Sequence, residues 1–148
     1  MKDFFRTLLE YNYTVNQQLA VVLTENASKT SEKTVKLFSH ILNAHQIWNN
    51  RIEPLQPAFA VWQHHRIENC GEIDRINYEH SLRILDNVEI DTIITLPKIR
   101  GKVANKSIRD LLFHVINHAS YHRGQIATEM RNSGLEPLLT EYFLFEAV

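Results

Sequence analysis

Four segments of this chain repeat apolar residues at three- and four-residue steps, the spacing that gives a helix one apolar face. They predict helices over residues 4–25, 32–52, 73–86 and 108–132. Only 4 glycines and 4 prolines occur among the 148 residues, which disfavours a loop-rich all-β fold. We therefore predict an all-α, antiparallel four-helix bundle that forms a single domain over residues 1–148.

The predicted helices are separated by recognisable breaks. The polar stretch 26–31 ends the first helix, and Thr30 or Ser31 caps the second. Residues 56–69 are expected to form a connection. Residues 90–105 combine β-branched side chains with a Pro/Gly break and predict short extended pieces or a hairpin. Ser107 and Asp110 are placed to cap the last helix, Gly134 and Pro137 to end it. The tail, 138–148, is expected to pack on the bundle or on a partner.

Composition narrows the function classes. Lys and Arg number 16 and Asp and Glu 17, a net charge of -1, so there is no broad basic surface for nucleic acid. No apolar run approaches the roughly 18 residues that span a bilayer, and no signal-peptide pattern is present. We expect a cytoplasmic protein with no nucleic acid or membrane partner. The single cysteine, Cys70, excludes an intramolecular disulfide and is expected to be a structural thiol outside the helical stripes.

Three of the 8 histidines form a stripe on the last predicted helix. His114, His118 and His122 recur every four residues, so each lies about 40° around the helix and about 6 Å along it from the previous one. His118 and His122 lie at the edge of the apolar face, and His114 lies further out. This spacing lets two imidazoles bind one metal ion. The structural alternative is a set of hydrogen-bonded core histidines.

A third ligand is expected from a facing helix, because two protein ligands make a poor metal site. The second predicted helix offers His40 and His45, which lie about 140° apart around it. Spacing alone does not choose between them. We expect His64, His65 and His80 to be surface histidines.

The last-helix segment around Asn117-His-Ala-Ser-Tyr-His-Arg-Gly-Gln125 resembles the signature of the DinB/YfiT-like family. The stretch from Leu37 to Trp48 resembles the family's second-helix motif, and the order and length agree over nearly the whole chain. The resemblance implies a four-helix bundle with a divalent metal, zinc or nickel, held by His40, His118 and His122. One departure is Glu141, where the family often has Asp.

The resemblance further implies a metal-dependent enzyme that transfers or isomerises with a small thiol co-substrate, a transferase or alternatively a hydrolase, and a homodimer. A non-catalytic metal or small-ligand binding module, a stress-response interaction protein and a plain helical bundle are the alternatives. Gln125 or Glu129 is placed to orient a ligand imidazole, while His114 more simply makes a structural hydrogen bond. A second helix face, formed by Phe113, Asn117 and Gly124, is the predicted dimer contact.

Overall fold

The computed structural model describes residues 1–146 and contains four long helices with a hairpin before the last. These elements are α1 (Lys2–Glu25), α2 (Glu32–Ile52), α3 (Ile67–Asn87), β1 (Ile93–Ile99), β2 (Lys102–Ser107) and α4 (Ile108–Asn132). The hairpin is antiparallel and pairs Ile93 with Ser107 and Leu96 with Ala104. The all-α prediction is confirmed, and the irregular segment before the last helix is the hairpin.

The helices are not packed mainly against their neighbours in the chain. The most extensive contacts join α1 to α3 and α2 to α4, with α2 also packed on α3 and α1 on α4. Buried apolar residues fill the space in two clusters. One contains Leu19, Leu23, Leu37, Phe38, Ile41, Ala119, Ile126 and Met130, and the other contains Phe5, Leu9, Val15, Ile84, Leu85, Ile108 and Leu112. The pairing of α2 with α4 is the one that brings histidines from two helices together.

Side-chain caps fix where α2 and α4 begin. Ser31 Oγ accepts the Thr34 N–H at 3.1 Å, so Ser31 is the cap of α2. At α4, Ser107 Oγ accepts the Asp110 N–H and the Asp110 carboxylate accepts the Ser107 N–H, a reciprocal capping box. The helix ends at Asn132, and Gly134, two residues beyond it, has a φ of 78° that only glycine readily adopts. These predicted boundaries are confirmed.

The prediction for α3 was wrong at its start, because the helix begins at Ile67 rather than at residue 73 and takes in the last three residues of the expected connection 56–69. The inward face of α3 is half polar. Its buried residues are Ile67, Cys70, Asp74, Asn77, His80, Ser81, Ile84 and Leu85. An apolar repeat therefore cannot reveal the first half of this helix. Cys70 accordingly lies on a buried helical face rather than outside one, and burial raises the pKa of its thiol to about 12.

The tail packs on the bundle, which is one of the two arrangements predicted for it. The Tyr11 hydroxyl donates to the Thr140 carbonyl at 2.5 Å, and the Tyr11 ring contacts Tyr142 and Phe145 edge-on. The last two positions of the predicted tail lie outside the described residues. Within residues 1–146, no helix combines the length and apolar character that crossing a bilayer requires.

A buried charge on α3 is linked to one on α4 through α1. Asn16 donates to the Asp74 carboxylate at 2.8 Å, and its carbonyl oxygen accepts from the Arg123 guanidinium at 2.8 Å. Arg123 also donates to Asn12 and is buried, so the amide oxygens of Asn12 and Asn16 are the partners of its guanidinium Nη1 group. Burial raises the pKa of Asp74 to about 7. Asn16 therefore fixes the positions of three helices relative to one another.

A second buried polar cluster joins α2 to α3. His45 Nε2 lies 2.7 Å from Ser81 Oγ, and Asn49 Nδ2 donates to the same hydroxyl at 2.9 Å. His80 is buried beside them with its Nε2 3.6 Å from a Glu53 carboxylate oxygen, so the expectation of a surface histidine was wrong there. His45 faces α3 and is therefore turned away from the histidines of α4.

We predict that acid destabilises the metal-free chain through His45. Burial, with His80 nearby, lowers the pKa of His45 from 6.5 to about 3. The unfolded chain takes up this proton near 6.5 and the folded chain does not, so stability that is full above pH 6.5 is lost as the pH falls toward 3. Urea unfolding between pH 7 and pH 5 should show a slope that His45→Gln reduces by up to about 1.4 kcal/mol per pH unit.

His64→Gln is the matched control, since His64 is exposed in the folded chain. Asp74 contributes to the stability of the fold with the opposite pH dependence. Because its pKa is raised in the folded chain, this contribution falls as the pH rises toward about 7. Only the difference between parent and variant therefore reports on His45. Equal slopes for the parent and His45→Gln would contradict the prediction.

Candidate metal centre

Three imidazoles from α2 and α4 meet at one point. His118 Nε2 lies 3.1 Å from His40 Nε2 and 3.1 Å from His122 Nε2. One nitrogen from each ring lies within 4.8 Å of the other two, a grouping that could hold a metal ion. His40 is buried, whereas His118 and His122 are half-buried, so the cluster is open on one side. We call these three residues the triad.

The outer nitrogens of two triad rings are already engaged. His40 Nδ1 lies 3.0 Å from the Val61 carbonyl, and His122 Nδ1 lies 2.7 Å from the Gln125 side-chain oxygen. Both partners are acceptors, so each Nδ1 must carry the proton. In a neutral ring the lone pair is then on Nε2, the nitrogen that faces the triad.

This proton arrangement leaves the triad without enough donors for its own contacts. A single N–H on His118 Nε2 can point at only one of its two neighbours, and the other contact then sets two lone pairs against each other. A cation at the meeting point satisfies all three nitrogens. Tetrahedral zinc with Zn–N bonds of about 2.0–2.1 Å would separate its ligand nitrogens by roughly 3.3 Å, close to the distances here. The triad thus fits a divalent metal.

Burial favours the neutral, metal-binding form of two triad rings, His118 and His40. Burial, together with the neighbouring His122, His40 and His114, lowers the pKa of His118 to about 4. The pKa of His40 is lowered chiefly by burial, although its bond to the Val61 carbonyl acts in the opposite direction. A ligand histidine must lose its proton before it binds, so these shifts reduce the proton competition that a metal ion meets.

The connection between α2 and α3 forms one wall of the triad. The Trp62 indole lies flat on the His40 ring, with centroids 3.8 Å apart and an angle of 11°. Trp62 is nevertheless 51% exposed, and the Lys36 ammonium lies 5.4 Å from its ring. The stack covers one face of His40 and leaves an aromatic surface toward solvent beside the triad.

Buried polar groups on α2 hold this connection in place. Asn43 Nδ2 donates to the Gln63 carbonyl at 2.8 Å and to the Val61 carbonyl at 3.3 Å. Asn43 Oδ1 lies 2.6 Å from His65 Nε2, and the His65 N–H donates to Ser39. His65 is therefore buried and bonds the connection to α2, and the prediction that it is a surface histidine was wrong. Asn43 acts on the triad through Val61, the residue whose carbonyl orients His40.

The other candidate side chains differ in whether they contact the triad. Gln125 contacts a triad imidazole as predicted, whereas Glu129 pairs with Lys33 at 2.9 Å. His114 lies with its ring centroid 5.6 Å from that of His118 and packs edge-on against Trp48 at 5.0 Å. His64 is exposed as expected.

Val61, Trp62, Asn43 and His65 were missed as parts of the site. Val61, Trp62 and His65 lie in an irregular connection, which has no periodicity by which they could have been found. Asn43 lies on α2, but its role depends on contacts with that connection. The clustered aromatic and histidine residues in 59–65 were the one available signal.

Comparison with known proteins agrees with this geometry. A model of the DinB family matches residues 1–148. The chain belongs to the DinB family. Protein DinB of Bacillus subtilis (strain 168) is 23% identical over 163 residues, which cover 98% of this chain and 95% of that protein. The resemblance stated from the motifs is therefore confirmed, and in this DinB family member the two motif regions supply the triad.

We predict that Asn43→Ala loosens the Trp62 wall. The substitution removes both bonds to the connection and leaves His65 Nε2 without its partner, so unfolding should become easier by about 1–3 kcal/mol. In a Trp48→Phe background, Trp62 is the only tryptophan, and its fluorescence should become more accessible to acrylamide. Asn50→Ala is the control, because Asn50 bonds Leu55 and Gln56 at the opposite end of the connection. Equal quenching in the two variants would refute this role for Asn43.

Proposed function

We propose that this DinB family member binds one divalent metal ion, zinc or nickel, through Nε2 of His40, His118 and His122. The observation that carries the proposal is the convergence of three Nε2 atoms while the Nδ1 protons of His40 and His122 are held by Val61 and Gln125. Metal-ligating histidines almost always donate their other N–H to such an acceptor. Ordinary core histidines would instead each use an inward nitrogen in its own hydrogen bond.

We further propose that the site is catalytic rather than structural. Three protein ligands leave a position open on a zinc-like ion, whereas structural zinc sites normally have four. A divalent ion there would supply Lewis acidity, lowering the pKa of a water or small thiol that reaches the open position. The half-exposed His118 and His122 leave a path to it. The reaction class we favour is transfer or isomerisation with a small thiol co-substrate.

A non-catalytic metal or small-ligand binding protein, with a role in stress response, is the second candidate. It uses the same triad, whose three converging nitrogens would hold a metal ion whether or not a substrate is turned over.

Phe113, Asn117 and Gly124 are all exposed, as the proposed homodimer contact requires. Sedimentation velocity at micromolar concentration tests that assembly directly.

Metal analysis of tag-free protein tests the site. We expect about one zinc or nickel ion per chain after incubation and desalting, and its loss in His118→Ala, because His118 Nε2 lies 3.1 Å from the Nε2 atoms of both other rings. His45→Ala is the matched control, since His45 lies on the same helix pair but faces α3. Binding that survives His118→Ala, or a metal-free parent, would overturn the proposal.

Thiol turnover separates the two candidate functions. The metal-loaded parent is to be assayed with a panel of small thiols and electrophiles, with loss of free thiol as the readout. We expect turnover in the parent, none in His118→Ala, and parent-like turnover in His64→Gln. Full metal occupancy without turnover across the panel would favour the binding protein over the enzyme.

A further inference from the structure

Beside the triad lies a cavity of about 490 Å³ between α2, α4 and the hairpin. It begins at His114, one turn before His118 on α4, which is an axial step of about 6 Å. The His114 ring packs against His118 on one side and against Trp48, another wall of the cavity, on the other. His114 therefore lines the cavity and also lies next to the triad.

Most of the cavity wall is apolar and part of it is aromatic. Trp48 of α2 and Leu111 of α4 line the cavity. Leu96 and Ala104, which are paired across the hairpin, line it from the two strands. Phe113 closes another side and remains 54% exposed. Aromatic rings prefer edge and offset contacts with other rings, so a flat apolar body is the shape these walls suit.

Two charged side chains of opposite sign, Lys106 and Asp110, line the cavity. The Asp110 carboxylate accepts the Ser107 N–H in the helix cap, and hydrogen bonding to Ser107 lowers its pKa, so it stays ionised. Lys106 forms no ion pair within 4 Å of any residue in 1–146. It is the one cationic side chain among the described residues that line the cavity, and its ammonium is therefore the group that can pair with a ligand carboxylate.

We propose that this cavity binds a small aromatic carboxylate, the second substrate of the metal centre. Its ring lies among Trp48, Phe113 and Ala104, and its carboxylate meets Lys106. This inference rests on the proposed function, because only a metal at the triad makes the neighbouring cavity a reaction site. It adds to that function the class of molecule on which a thiol or water at the metal would act.

The test uses 4-(trifluoromethyl)phenylacetate, whose fluorine resonance reports binding and distance from a paramagnetic ion. With zinc-loaded protein, we expect saturable broadening of the fluorine line. Ala104→Phe fills the cavity and should weaken binding on the order of tenfold. Lys106→Gln should weaken it about two- to fivefold, the size expected for one exposed ion pair. The neutral amide of the same acid should not distinguish Lys106→Gln from the parent.

Lys102→Gln is the matched control, because Lys102 lies on the same strand but outside the cavity. Cobalt-loaded parent should broaden the bound fluorine line well beyond the zinc-loaded form, which places the ligand beside the triad. Parent-like binding by Ala104→Phe, or equal broadening with cobalt and zinc, would overturn the inference.

Metal content is measured separately on the same samples. Full metal occupancy without binding of the acid overturns the cavity proposal and leaves the proposed metal site standing. A chain that takes up no metal overturns the proposed function itself, whatever the acid does.

Discussion

The hydrogen bond from His40 Nδ1 to the Val61 carbonyl is the contact on which the triad depends. Because the Val61 carbonyl accepts the Nδ1 proton, the lone pair of His40 is on Nε2. This buried ring therefore presents an acceptor rather than a donor to His118. The bond requires the α2–α3 connection to lie across α2. That connection in turn is held by Asn43 and Gln46, which are buried polar residues on the helix surface beneath it. Polar contacts of Asn43 and Gln46, one and two turns beyond His40 along α2, thus determine which nitrogen of His40 carries the proton.

Polar burial also explains the spatial order of the helices. The inward side of α3 carries Asp74, Asn77 and Ser81, and each bonds a polar side chain or carbonyl on α1 or α2. Such contacts are directional, so they fix the rotation of α2 about its axis more strictly than apolar packing alone would. The same rotation turns His45 toward Ser81 and His40 toward α4. Contacts with α3 therefore determine that His40 rather than His45 faces α4, although the triad residues themselves lie on α2 and α4.

The sequence was informative where apolar residues form one face and less so where polar residues are buried. The stripe on α4 predicts its own geometry, because four-residue spacing on a helix places His118 next to His122 whatever the surroundings. Spacing could not choose between His40 and His45, since that choice depends on contacts with α3. The family resemblance named His40, and His40 is the one that lies beside His118 in the structure. The start of α3 and the burial of His65 and His80 could not be predicted, because their polar side chains resemble those of a surface until their partners are known.

The two histidine clusters show what separates a candidate metal centre from a polar core. At the α2–α3 cluster, His45 Nε2 is paired with Ser81, and His45, His80 and Glu53 do not bring their ligand atoms together at one point. At the triad the outer nitrogens of His40 and His122 are paired and the inner ones converge, on the side where the bundle is open. The same residue type therefore stabilises a helix contact in one place and forms a candidate ligand set in the other. What differs is which nitrogen has a fixed partner, and that is set by Val61 and Gln125 rather than by the histidines.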